Sequence, residues 1–259
     1  MLKHRSRSRY VFDLDSFIRA LILLGFIIMI LSLIGSEQLT LYIHPKFAGL
    51  VELANYLLLP LLAAQLLAIF RPAHPLHQQH SHNSRWTYLP FVIVLALAFG
   101  LPNHTLNANL VSTKGLNSQA VSTTNFEMLR PLADALRQAP VIDVTDKDYT
   151  EIMNELQFFP QDYIDKEISM TGFVFKAPKL APNQFSLVRY VVVCCTADAL
   201  PYGILCQLSA GAGYEEGTWL MVKGRICQAS YEDKMVAAIQ ITSIKKIPEP
   251  EKPYVFPPG

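Results

Sequence analysis

Charge is scarce in this chain. Of its 259 residues 51% are hydrophobic and only 17% are Asp, Glu, Lys or Arg, where soluble chains usually carry about 25% charged residues. That composition disfavours an ordinary soluble protein and makes a membrane protein the first reading. A surplus of either sign is missing too, since 22 Lys and Arg face 21 Asp and Glu for a formal net charge of +1. Without a summed positive field, attraction to phosphate backbones has no source, and no nucleic-acid partner is expected. Cysteine is absent from the first two thirds: Cys194, Cys195, Cys206 and Cys227 all lie in the last third, with no C-x-x-C pair among them. Histidine is absent after Leu110. This excludes a mixed Cys/His zinc site within the C-terminal domain unless ligands come from elsewhere, and a cysteine nucleophile with a histidine base. No internal repeat of about 20 to 50 residues is visible.

What the first hundred residues do contain is three apolar stretches, at 17–34, 47–70 and 86–101. A spanning helix needs about 20 apolar residues at about 1.5 Å rise each. The second stretch is comfortably long, the first adequate and the third short. All three are expected to span. A cleaved signal peptide is a poor account of the first, because a longer apolar run follows closely and no A-x-A-like site comes after Ile34. Lys3, Arg5, Arg7, Arg9 and Arg19 precede the first span or lie at its start, Lys46 is the one cation in the loop after it, and Arg71 and Arg85 flank the loop before the third. The positive-inside rule then places the N-terminus and the second loop in the cytoplasm, and everything after Leu101 outside.

The expected organisation is a basic cytoplasmic N-terminus at 1–16 and a multi-pass plasma-membrane region at 17–101, with a histidine-containing cytoplasmic loop at 71–85. A linker at 102–140 follows, then a β domain at 141–247 and a Pro-rich extended tail at 248–259. Within the β domain, residues 149–156 read as a short helix entered from Thr145 to Asp148, with Ile152, Leu156 and Phe159 on one side. Five runs rich in Val, Ile and aromatics follow, at 167–176, 186–195, 203–208, 218–227 and 235–246, punctuated by Pro, Gly, Asn and Asp. Gly172 and Gly224 inside such runs suit strongly bent strands. The fold class expected is therefore an α-helical membrane region of three spans plus an extracytoplasmic small all-β barrel, OB-like, with one short helix. A sandwich or SH3-like barrel fits the same pattern.

In the C-terminal half the chemistry-bearing cluster is Arg189 followed by Cys194-Cys195-Thr196-Ala197-Asp198-Ala199-Leu200-Pro201-Tyr202-Gly203. Adjacent residues of a regular strand face opposite ways, so Cys194 and Cys195 are not expected to share one pocket. Each cysteine is a candidate for a disulfide with a neighbouring strand, a thiolate metal site or a buried thiol. Asp198 with Pro201 and Gly203 also reads as a plain turn. Tyr190, Tyr202, Tyr214 and Trp219 near Arg189 and Lys223 resemble a strand-stacking face, but the surrounding carboxylates make core and rim aromatics the better account.

Together with the basic N-terminus, the segment Tyr42-Ile43-His44-Pro45 between paired helices, and Trp219-Leu-Met-Val-Lys-Gly224, this cluster resembles the YcgQ-like family. Its members are described as small subunits of two-component membrane permease complexes. The resemblance implies a larger polytopic permease subunit as partner, beside the lipid bilayer, and marks Arg189, Cys194, Cys195, Ala197, Asp198, Ala199, Pro201 and Gly203 as motif residues. It transfers no catalytic role.

Two further groups stand out. His74, His77, His80 and His82 make a low-specificity site for Zn²⁺ or another divalent transition metal, or simply a polar cytoplasmic loop. In the second span Glu52 and Asn55 lie a helical turn apart, with His44 just outside it. Polar groups there are candidates for contact with a cation or the permease, or for an ordinary interfacial role. The function expected is a non-enzymatic accessory subunit of a permease for a metal ion or other small solute, with the β domain at the permease or substrate. The competing reading is an extracytoplasmic membrane-anchored thiol/disulfide or metal-binding protein acting through Cys194 and Cys195.

Overall fold

The computed structural model describes residues 10–72, 85–102, 104–116, 130–209, 214–231 and 234–257. The chain divides into two compact units. One comprises residues up to Thr40 and from Pro45 to His104; the other comprises Leu41–His44 and Thr105–Gly259.

In the first unit, strand β1 (Tyr10–Phe12) leads into helix α1 (Leu14–Gly35), and helix α2 (Ala48–Ala68) leads into strand β2 (Phe70–Pro72). The two short strands pair antiparallel, Tyr10 opposite Pro72. Asp13 begins α1 by accepting the Asp15 amide at 3.1 Å and the Ser16 hydroxyl at 2.7 Å, which satisfies an amide that the first turn leaves without a helical partner. α1 and α2 are long and apolar enough to cross a membrane. Their leucines are largely open, Leu67 at 81% exposure, as expected of side chains whose solvent is hydrocarbon. The third apolar stretch forms a helix only over Leu89–Gly100 (α3), with a tighter turn at Arg85–Tyr88 before it. It is shorter than the stretch expected to span. α3 packs on α1, where Gly25 gives room to the Leu95 side chain.

In the second unit, helix α4 (Asn109–Lys114) and helix α5 (Ala133–Gln138) occupy described parts of the expected linker. Val111 is fully buried and Ala108 nearly so, so the folded unit begins earlier than the composition suggests. Its apolar anchors are too few and too scattered in sequence to register as a pattern. Strand β3 (Val141–Asp143) and helix α6 (Tyr149–Phe158) precede strands β4 (Glu167–Phe175), β5 (Gln184–Val191), β6 (Leu200–Gln207), β7 (Trp219–Tyr231) and β8 (Lys234–Lys246). The tail contributes strand β9 (Tyr254–Val255), parallel to β5.

These make a mixed seven-stranded sheet in the order β3-β4-β7-β8-β6-β5-β9, with β4 also paired to β5. The chain of pairings thus returns on itself through five strands. β6 and β8 run parallel; the other pairs in the ring are antiparallel. At two places the ring needs a missing side chain. A Cβ at Gly203 would stand 2.5 Å from the Leu187 carbonyl oxygen, and Gly224, at the register shift between Lys223 and Gly224, lies against the Gln240 backbone.

The main core gathers Val174, Phe185, Leu187, Leu220, Val222, Ile226 and Ile239 from the strands, covered by Tyr149, Ile152, Met153 and Leu156 of α6. A second cluster joins Ala108 and Val111 to Phe173, Val188, Tyr190, Trp219 and Tyr254. Tyr190 packs tilted against Phe173 and Trp219 packs edge-to-face with it, at 5.4 and 5.7 Å between ring centres. Tyr190, Tyr202 and Trp219 are buried, so they form core rather than a stacking surface.

Candidate functional site

The motif residues occupy the connection between β5 and β6. β5 ends at Val191, so Cys194 and Cys195 are not in a regular strand, and the opposite-face expectation does not apply. Their sulfurs lie 3.8 Å apart, with Cys194 exposed and Cys195 half-buried. A carboxylate holds the turn from within. Asp198 Oδ1 accepts the Val193 amide at 3.1 Å, and Oδ2 accepts the amides of Cys194 and Cys195 at 2.7 and 3.3 Å. Three convergent N–H donors suit an ionised carboxylate. Burial pushes the Asp198 carboxyl up, but the Cys194 thiol and these amides outweigh it and hold it below the usual carboxylate range. The same contact acts oppositely on the sulfur. The Asp198 carboxylate, then the Cys195 thiol, push the Cys194 thiol up to about 11.

Two segments from far along the chain brace this turn. Lys114, at the end of α4, donates its ammonium to the carbonyls of Ala197 and Ala199 at 3.0 and 2.6 Å. Ile43 forms an antiparallel bridge with Cys195, the His44 amide donates to the Cys194 carbonyl at 2.9 Å, and the Thr196 amide donates to the Tyr42 carbonyl at 2.9 Å. The connection between α1 and α2 is therefore part of this unit. His44 is the histidine "from elsewhere", yet its Nε2 lies 3.2 Å from the Pro257 carbonyl and its ring stands edge-on to Phe256. The site brings His44 beside Cys194 by its backbone and turns the imidazole to the tail.

Arg189 does not join the cysteines. Buried in β5, it donates to the carbonyls of Pro253 and Lys252 at 3.0 and 3.2 Å, pairs with Asp146 at 3.0 Å and lies over the Trp219 ring at 5.3 Å. It fastens the tail. Pro201 and Gly203 belong to β6, opposite Tyr190 and Val188, and Ala199 is fully buried. All four cysteines are free; burial pushes the thiols of Cys206 and Cys227 up. Glu52 is exposed on α2, whereas Asn55 is buried with its Oδ1 unpartnered, so the shared helical side does not give them a shared environment. His74, His77, His80 and His82 lie outside the described residues.

Lys114 and Asp198's triple amide contact were not legible in the sequence, since the first sits in an apparent linker and the second depends on the strand ending early. Nor was the buried Glu155, which accepts from Arg130 at 2.8 Å and from the Tyr163 hydroxyl at 2.8 Å. Chemically, two sulfurs and a carboxylate with all three donor atoms within 4.8 Å are the donor types that a thiophilic cation takes.

Two long apolar helices and a unit built on a mixed sheet make this a membrane-associated protein. The chain belongs to the DUF1980 family: residues 18–117 match the DUF1980 N-terminal domain and residues 120–257 the DUF1980 C-terminal domain. It is 25% identical to YcgQ of Bacillus subtilis (strain 168), over 92% of this chain and 98% of the relative. A Streptococcus mutans (serotype c) relative, with the same identity and coverage, is provisionally named as a two-component membrane permease complex subunit. The resemblance to YcgQ-like proteins read from the motif is borne out. Among solved structures, the chain is similar to the N-terminal domain of PriB from Thermoanaerobacter tencongensis (20% identity, 32% of this chain and 97% of that one, TM-score 0.21). It is also similar to a small single-stranded DNA-binding protein from Streptomyces coelicolor (14%, 32% and 94%, TM-score 0.22). Neither likeness bears on function.

Proposed function

We propose that this protein is a non-enzymatic accessory subunit of a two-component permease complex in the cell membrane, spanning it three times and carrying an extracytoplasmic OB-type barrel beside a larger polytopic partner. The permease role rests on the name of the Streptococcus mutans relative. The barrel reading is supported by the strand pairing. Numbering the ring from β4, the first strand pairs with the second, the second with the third, the third with the fifth in parallel, and the fifth with the fourth, which returns to the first.

One observation carries the topology. Leu41–His44, between α1 and α2, is built into the second unit through the Ile43–Cys195 bridge. If α1 and α2 cross, that unit lies on the side of their connection, while the chain leaves α2 on the opposite side. Residues 85–101 must then bring it back. The apolar helical stretch Trp86–Gly100 is short: 15 residues at about 1.5 Å give about 22 Å, which calls for a locally thinned bilayer. The cations near Lys3 to Arg9 favour a cytoplasmic N-terminus, hence an outer domain. The transported species is a metal ion or other small solute.

Alkaline phosphatase fused after Asn109 is expected to be active, and a tagged copy is expected to retain a polytopic protein through purification in mild detergent. A silent fusion with bright green fluorescence at the same junction would overturn the topology, and recovery of a lone monomer after crosslinking would overturn the partnership. The competing thiol-exchange reading needs an ionised sulfur at neutral pH, and the carboxylate beside Cys194 opposes one.

A further inference from the structure

The geometry points to a binding site for a thiophilic divalent cation, of the Zn²⁺ type, at the β5–β6 turn, with the sulfurs of Cys194 and Cys195 and the carboxylate of Asp198 as its ligands. Two Zn–S bonds of about 2.3 Å at the tetrahedral angle separate their sulfurs by about 3.8 Å. The sulfurs of Cys194 and Cys195 lie at that separation, 3.8 Å apart. The carboxylate completes a set whose donor atoms all lie within 4.8 Å of one another. Donors grouped this closely can close on one cation by small side-chain movements.

The set is also held from behind. Asp198 is fixed by the amides of Val193, Cys194 and Cys195, and the lone pair that takes the Cys194 thiol becomes available when that thiol gives up its proton. The backbone of the turn is fixed by Lys114 and by the Tyr42 to His44 segment. Ligands braced in this way bind with less loss of freedom than a free dithiol. With three protein ligands and Cys194 exposed, a fourth position stays open to water or to a donor on another molecule, as in sites where the cation must be reached. On binding, each thiol releases its proton to solvent as its sulfur takes the cation. None of its three ligands is one of the four loop histidines, and it does not rest on the permease reading, because it needs no partner.

The test uses the reduced full-length chain in mild detergent, with His74, His77, His80 and His82 changed to alanine to remove the other candidate ligands. Co²⁺ is the probe. A sulfur-to-cobalt charge-transfer band that Zn²⁺ abolishes is expected. It should survive in Cys227→Ser, disappear in Cys194→Ser/Cys195→Ser, and require about 10- to 100-fold more Co²⁺ in Asp198→Asn. No band in the reduced parent, or a band that persists in the double variant, overturns the site. Protection needs no cysteine variant and so is independent of variant folding: Zn²⁺ should slow alkylation of Cys194 and Cys195, resolved by mass spectrometry, and equal rates with and without Zn²⁺ overturn it as well.

Discussion

Ile43 and Cys195, far apart in sequence, face each other across an antiparallel bridge that joins the connection between the two long helices to the cysteine turn. His44 is expected to matter to this junction through two separable parts. His44→Ala keeps the backbone amide on the Cys194 carbonyl and loses only the ring contacts with Phe256 and Pro257. His44→Pro loses the amide as well, a further loss of about 0.5–1.5 kcal/mol. Thermal melting of the two variants should separate them in that order, with hydrogen exchange rising at Tyr42 and Ile43 and at Cys194 to Thr196 only in the proline variant.

Asp198 is expected to suppress the reactivity of its neighbour. In metal-free protein the Cys194 thiol, pushed up to about 11, is almost wholly protonated at neutral pH, and its alkylation rate should climb with pH up to that region. Asp198→Asn removes the negative charge and moves the profile to lower pH. Asp198 itself is held below its ordinary value, so its support of the turn is complete above about pH 4 and fades as the pH falls through the lowered value. Rate profiles for iodoacetamide, read residue by residue, test both signs.

Arg189 is expected to act on the tail and not on chemistry. Arg189→Met removes its bonds to Lys252 and Pro253 and its pairing with Asp146, and should destabilise the protein by on the order of 3 kcal/mol. Asp146 is well exposed, so most of the loss falls on the tail. A glutamate-specific protease should cut the Glu251–Lys252 bond of the tail faster in the variant than in the parent, and equal rates would refute the assignment.

Glu155 is fully buried between Arg130 and Tyr163, whose hydroxyl is pushed up to about 12 by burial first and by the carboxylate second. Glu155→Ala leaves the guanidinium without its inner partner and should cost about 3–5 kcal/mol. Chemical denaturation of the full chain measures it, and a midpoint unchanged from the parent would refute the assignment.

Gly203 sits in the motif, but its role is steric. Gly203→Ala places a Cβ 2.5 Å from the Leu187 carbonyl oxygen, so β5 and β6 must separate, at a cost of about 1–3 kcal/mol. Thermal melting should fall accordingly, while Co²⁺ binding by protein still folded should be retained.

The amino-acid sequence by itself determined the long apolar helices, the positions of the main strands and the short helix at Tyr149–Phe158. Those features depend on local composition and periodicity, which a short window contains. It also set out the run from Cys194 to Gly203 on which the family resemblance rests. What only the tertiary structure decided was which groups meet. β5 stops at Val191, so two neighbouring sulfurs turn to one side. A lysine from an apparent linker and a loop from between the helices close on the turn. Arg189 goes to the tail instead of the cysteines. Contacts between residues so distant along the chain are set by sheet closure and by the need to satisfy buried polar groups, and no spacing in the sequence records either.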